Sequence, residues 1–150
     1  MHAAPAEIGR AAVERATLCE LNTVRKSHGL RPVRANALLA GAARHHSRDM
    51  VQRKYFAHTS PSGADFVQRI RGSGYLAAAR HWKVGEILAW GSGGFASVHE
   101  IVQAWMHSPG HRRVILNGAY REVGVGVVPG APSAVQSPAA TYTADFAVKP

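Results

Sequence analysis

The sequence predicts an α+β fold, and three observations lead there. Helical periodicity dominates the first half of the 150 residues, strand-like runs concentrate in the second half, and no internal repeat interleaves the two. A doubly wound α/β chain would alternate strand and helix throughout. Because the strands follow one another late in the chain, an antiparallel sheet is expected.

The elements can be justified in order. Val13, Leu18, Leu21 and Val24 share one arc of a helical wheel, which predicts a first helix over 7–27, with Gly29 in the position that follows a helix end. Arg31-Pro32 forces extended backbone. Asn36 then caps a second helix whose apolar stripe is Leu39, Ala42, Ala43, His46 and Met50. His46 within that stripe reads as a satisfied core histidine. A turn-rich loop over 58–63 leads to a third helix over 64–71, closed by Gly72-Ser73-Gly74. A strand is predicted over 82–90, with a break at Gly91-Ser92-Gly93-Gly94. Val98, Ile101, Val102, Trp105 and Met106 keep the spacing of a core-facing helix, with Trp105 and Met106 inside. Ser108 and Pro109 suit the N-cap and first position of a short helix carrying His111. Strands are expected over 122–128 and 141–148, joined by a Pro/Ser/Ala/Gly loop. Gly124 and Gly126 in the first of these predict close backbone approach.

Length admits one domain with its own core, assigned to 15–150, after residues 1–14 as an extension and the start of the first helix. No run of about 18 apolar residues exists, so no transmembrane helix is expected. The N-terminal stretch lacks the apolar core of a signal peptide, and His2-Ala3-Ala4-Pro5-Ala6 suits a remnant left after a leader was removed. The single cysteine, Cys19, excludes an intrachain disulfide, and its place beside the apolar arc predicts a semi-buried, inert filler. Eighteen Lys and Arg against nine Asp and Glu give a net charge of +9, which favours anionic surfaces such as cell-wall polymers or anionic lipid. No basic motif is interleaved with aromatics, which argues against specific nucleic-acid binding.

Four candidate groups for chemistry stand near a glycine or proline: His58, Glu86, His107 and His111. Glu86 is the most informative, because a carboxylate inside Trp82-Lys83-Val84-Gly85-Glu86-Ile87-Leu88 is expensive to bury without a partner. Imidazoles are suitable partners. Two histidines and Glu86 can bind zinc with an open fourth position, or form an acid–base pair in which Glu86 orients one ring. Metalloprotease, nucleophile-elbow and phosphate-loop motifs are absent, and no nucleophile motif surrounds Ser60 or Ser108.

Six short segments, in order, resemble the CAP superfamily: cysteine-rich secretory proteins, antigen 5 and pathogenesis-related 1 proteins, in its bacterial secreted branch. They are Leu18-x-x-Leu21-Asn22-x-x-Arg25 with Gly29-Leu30; His46-Ser47-x-Asp49-Met50; Phe56-x-His58-x-Ser60-Pro61-x-Gly63; Gly85-Glu86-Ile87-Leu88-Ala89-Trp90-Gly91; Trp105-Met106-x-Ser108-Pro109-Gly110-His111-Arg112 with Ile115-Leu116-Asn117; and Gly124-Val125-Gly126-Val127. The resemblance implies a three-layer α-β-α sandwich with a central antiparallel sheet, and one open cleft lined by His58, Glu86 and His111. It implies that His58 and His111 hold a divalent metal, zinc, with Glu86 as a further ligand or catalytic group. It also implies a secreted or cell-surface protein that binds a small lipid or glycan, the alternative being a metal-assisted hydrolase of peptide or cell-wall material. Two departures bear on the site. Ile87 stands where the family usually has Asn, and Met106-His107-Ser108 stands where animal members carry a second glutamate.

Overall fold

The computed structural model describes residues 9–150. Within them five α-helices and four strands follow in the order α1 (Arg10–Ser27), β1 (Arg34–Ala35), α2 (Ala37–Arg53), α3 (Phe66–Gly72), β2 (Lys83–Ser92), α4 (Val98–Met106), α5 (Pro109–Ile115), β3 (Glu122–Pro129) and β4 (Ala139–Val148). A 3₁₀ turn, Gly93–Ala96, joins β2 to α4. The architecture is the predicted α+β sandwich. The predicted start of α1 at residues 7 and 8 lies outside the described residues.

The sheet runs β1-β3-β4-β2, so β2 is an edge. Strand β4 pairs antiparallel with both β3 and β2. The central sheet is antiparallel as expected, with one short addition: β1 pairs parallel with β3, Arg34 opposite Glu122 and Ala35 opposite Val123. Only two residues long, β1 is too short for hydrophobic alternation to mark it; the extended backbone imposed by Pro32 was the only signal.

Alternation along the strands divides the core. Val123, Val125 and Val127 of β3 and Tyr142, Ala144 and Phe146 of β4 join the larger cluster, with Val13 and Leu21 of α1, Trp105 of α4 and Ile115 of α5. Trp105 donates its indole N–H to the Leu88 carbonyl at 2.9 Å, so its polar edge is satisfied while its rings are buried. Met106 is only partly buried against this cluster. The opposite face carries Leu39 of α2, Ile70 of α3, Tyr75, Leu76 and Ala147. There Gly124 and Gly126 do what the sequence predicts. A Cβ at Gly124 would overlap the backbone of Leu39 and Ala40, and one at Gly126 the backbone of Ala43 and Arg44. Helix α2 thus lies directly on bare strand backbone.

Local signals explain most boundaries. Asn36 accepts from the backbone N–H of Leu38 and Leu39 at 3.0 and 3.1 Å. Helix α3 begins two residues later than expected, because Asp65 and Gln68 form a reciprocal capping box. Gly29 has φ +74° and follows the helix as expected. Ser108 holds the N-cap position of α5 but makes no capping hydrogen bond, so Pro109 and the turn itself start that helix. Strand β2 continues through Gly91 and Ser92, and the break falls at Gly93 with φ +60°. Cys19 corrects a further expectation: it is free but exposed, because its side chain lies outside the buried arc of Val13, Thr17 and Leu21.

Gly126→Ala is expected to cost about 1–3 kcal/mol, because the added methyl meets helix backbone rather than a flexible side chain. The urea midpoint should fall with the slope unchanged; an unchanged midpoint would contradict the direct seating of α2 on β3.

Candidate functional site

The site is built outward from the edge strand. Alternation turns Ile87 into the large core and Glu86 to the opposite face. The Glu86 side chain is fully buried, yet it is well partnered. Arg69 of α3 donates through Nη2 to both carboxylate oxygens at 2.8 Å. His58 places Nδ1 2.9 Å from Oε1. Since a carboxylate only accepts, the proton lies on Nδ1, and Nε2 faces away from Glu86. The His58 side chain is 49% exposed, so the ring edge turned away from Glu86 meets solvent.

Arg69 also fixes the loop that carries His58. Its Nη1 donates to the carbonyls of His58 and Ala64, at 2.7 and 3.1 Å. The other side of the loop is held by His46, which is buried and donates through Nε2 to the Ala57 carbonyl at 2.8 Å. Burial comes first among the causes that push the His46 pKa down, so it is a neutral structural group as expected. Tyr55 donates to Asp49 at 2.5 Å and completes this support. Ser60 is buried and bonds Ser62 at 2.8 Å, so it is tied into the turn.

Opposite Glu86 in the β2–β4 register lies Asp145, fully buried. No donor of the described residues reaches either of its oxygens when it is ionised. Burial, followed by the charge of Glu86, raises its pKa well above the usual range, and the neutral acid hydrogen-bonds Glu86. Burial alone would raise Glu86 too. Hydrogen bonds from His58 and Asp145 and the charge of Arg69 outweigh that, holding Glu86 below the ordinary carboxylate range. The pair therefore shares one proton, kept on Asp145.

His111 comes from the other layer. Pro109 at the first position of α5 sets the turn, and the half-buried ring lies near enough to His58 for the two charges to interact. Desolvation, then the His58 charge, lowers its pKa. Its Nδ1 is enclosed with no hydrogen-bond partner. His107, the fourth sequence candidate, donates from Nδ1 to the Gln103 carbonyl at 2.7 Å and simply terminates α4.

The three residues expected at a metal, His58, His111 and Glu86, are not equally free to bind one. Among the described residues no group of three or more His, Cys, Asp or Glu is placed to hold a metal ion. The physical reason is that Glu86 has both oxygens engaged by Arg69 and one by His58. The residues fit a divalent metal differently. His58 Nε2 and the His111 ring would be its nitrogen donors, and Glu86, behind His58, would be the carboxylate that orients the imidazole. Arg69 and Asp145 are the functional residues that sequence reasoning missed. Each sits in an ordinary amphipathic or alternating pattern, and only burial opposite Glu86 reveals it.

The chain matches the model of the cysteine-rich secretory protein family, CAP, over residues 18–145. It belongs to the CAP family. The uncharacterized protein YkwD of Bacillus subtilis is 38% identical over 71% of this chain and 39% of its own length. An extracellular protein containing an SCP domain from Bacillus anthracis superposes with a TM-score of 0.73 at 24% identity, over 91% of this chain and 40% of that one. An outer surface protein of Borrelia burgdorferi superposes with a TM-score of 0.76 at 18% identity, over the whole of both chains. This CAP domain thus spans about two-fifths of the first two relatives. No helix among its described residues is long and apolar enough to cross a membrane.

Two outcomes follow for the buried network. Arg69→Met should cost about 3–5 kcal/mol in chemical denaturation, because it strands a buried carboxylate. A loss below about 1 kcal/mol would mean Glu86 does not need the cation. Asp145→Asn mimics the neutral acid. A folded pKa raised above the unfolded value makes the native state bind the extra proton, so wild-type stability declines as pH rises above the unfolded value of about 4. The variant lacks that decline, and denaturation midpoints should shift in its favour between about pH 4 and 7.5. A parallel pH dependence in both proteins would place the proton elsewhere.

Proposed function

We propose that this CAP domain is a secreted or cell-surface binding module whose cleft holds a divalent cation, zinc, and through it a small lipid or glycan ligand. One observation carries the reading: His58 has its Nδ1 fixed on Glu86, which turns Nε2 away, and His111, near enough for the two charges to interact, has an unpartnered ring nitrogen. His58 and His111 would hold the ion, and Glu86 would keep the His58 tautomer correct. Zinc bound there supplies a positive centre for a ligand oxygen. The Phe66 ring, 6.1 Å from His58, supplies an apolar neighbour suited to a lipid chain or a sugar face. The extracellular and outer-surface descriptions of the Bacillus anthracis and Borrelia proteins support export.

The alternative, metal-assisted hydrolysis of peptide or cell-wall material, asks Glu86 to act as a base. Its engagement by Arg69 and its lowered pKa make it a weak one, and this favours binding over turnover. Release of product from peptidoglycan or peptides, dependent on zinc and lost in Glu86→Gln, would reverse that preference.

Calorimetric titration with zinc should give one site in the wild type and none in His58→Ala or His111→Ala, with the fold intact by circular dichroism. Both imidazoles must be neutral, so affinity should weaken as pH falls below about 6. Burial lowers the His111 pKa, which keeps that ring available further into the acid range than a free imidazole. Equal affinity in all three proteins would sink the site.

A further inference from the structure

Away from the histidine cleft, the four strands share an unexpected property at one end of the sheet. Each contributes a cation there. Arg34 opens β1, Lys83 opens β2, Arg121 immediately precedes β3, and Lys149 immediately follows β4. The register brings them together: Arg34 pairs with Glu122, Glu122 with Ala147, and Lys83 with Val148. All four line one cavity of about 660 Å³. In the sheet order β1-β3-β4-β2 they span three strand spacings, roughly 14 Å, on backbone held by the ladder.

The cavity is short of anions. Among the described residues its only acidic side chain is Glu122, already engaged by the Tyr75 hydroxyl at 2.6 Å and the Asn36 amide at 3.0 Å. Arg34 and Lys83 have no side-chain partner among the described residues and are exposed. Arg121 and Lys149 are held in place by backbone carbonyls, of Gly118 and Tyr120 for the first and Tyr75 for the second. Carbonyls fix their positions without neutralising them. Four cationic side chains against one committed acidic side chain, in a concavity, concentrate the field there.

We propose that this sheet-end cavity binds a linear polymer of phosphodiester-linked polyol units, with successive phosphates on successive cations. A single phosphate reaches one or two of the four; a chain reaches all of them. The concave lining suits a strand of polymer better than a flat bilayer. Nucleic acid is disfavoured by the scarcity of stacking platforms: the described lining holds only Trp82, over whose ring Arg71 lies at 5.3 Å, and the smaller imidazole of His81. The site is independent of His58 and His111, so its fate does not depend on the metal reading.

The test is calorimetry with a poly(glycerol phosphate) oligomer, orthophosphate, single-stranded DNA and phosphatidylglycerol vesicles, on wild type and two double variants of equal net charge. Arg34→Ala/Lys83→Ala removes the two unpaired cations of the cavity, and Arg15→Ala/Arg48→Ala removes two exposed cations from helices α1 and α2. The polymer should bind wild type more tightly than the other three probes. The cavity variant should lose at least about tenfold in affinity, and its log–log salt slope should fall by roughly one to two. The helix variant should lose less than about twofold. If circular dichroism shows the cavity variant misfolded, Lys83→Glu alone must reproduce the loss. Equal losses in both variants, or tighter binding of orthophosphate, DNA or vesicles than of the polymer, would overturn the proposal.

Discussion

The arrangement around His58 depends on a carboxylate buried in an edge strand. Glu86 could not remain ionised there alone, and its three partners each come from a different part of the chain. Arg69 supplies the charge from α3, His58 the hydrogen bond from the loop after α2, and Asp145 the proton from β4. Desolvation is a large cost, and its compensation needs all three in place at once. The same requirement fixes the cleft. A loop tied by Arg69 to its own carbonyls, and by its histidine to Glu86, has little freedom to present His58 elsewhere. The wider frame supplies the rigidity that such a network needs. Gly124 and Gly126 let α2 rest on sheet backbone, so the loop leaving α2 starts from a fixed height above the sheet.

Arg25 does for the opposite layer what Arg69 does for this one, with different chemistry. It is fully buried and has no carboxylate partner among the described residues. Instead it donates to the carbonyls of Arg31, Ile115, Asn117 and, more loosely at 3.4 Å, Tyr120. Burial, then the charge of Arg121, lowers its pKa, yet a guanidinium starts so high that it stays charged. The last three carbonyls belong to the end of α5 and the turn into β3, so Arg25 seats the helix that carries His111. Asn22, one turn earlier, pairs with both backbone groups of Val33 at 2.9 Å. The Leu-x-x-Leu-Asn-x-x-Arg segment is therefore a clamp made of side chains that reach backbone.

What the sequence made legible follows from how local each signal is. Helix α4 was readable because five residues repeat at helical spacing and all point inward or nearly so. Asn36, Gly29 and the two strand glycines were readable because a single residue type answers a single backbone demand. Glu86 stood out as a charge in an apolar run. Arg69 and Asp145 did not stand out, since an arginine on a short helix and an aspartate in an alternating strand look like solvated groups. Their roles arise from the β2–β4 register and from the seat of α3, both long-range. The engagement of Glu86 was hidden for the same reason: the family resemblance put it with the histidines, but no local signal shows that its oxygens are held by Arg69.

The departure at Ile87 then has a physical explanation. A polar residue after the glutamate would face the large core, where Ile87 lies 1% exposed among apolar neighbours, and it would need its own partner there. This chain places the steadying group on the other face, where Asp145 and Arg69 already meet Glu86. A carboxylate clamped by a guanidinium on one side and a neutral acid on the other is well suited to holding an imidazole still. It is poorly suited to taking up a proton, because the basicity it would need has been given to its partners. The proposed binding role asks of this carboxylate only what its partners leave it, which is to orient an imidazole.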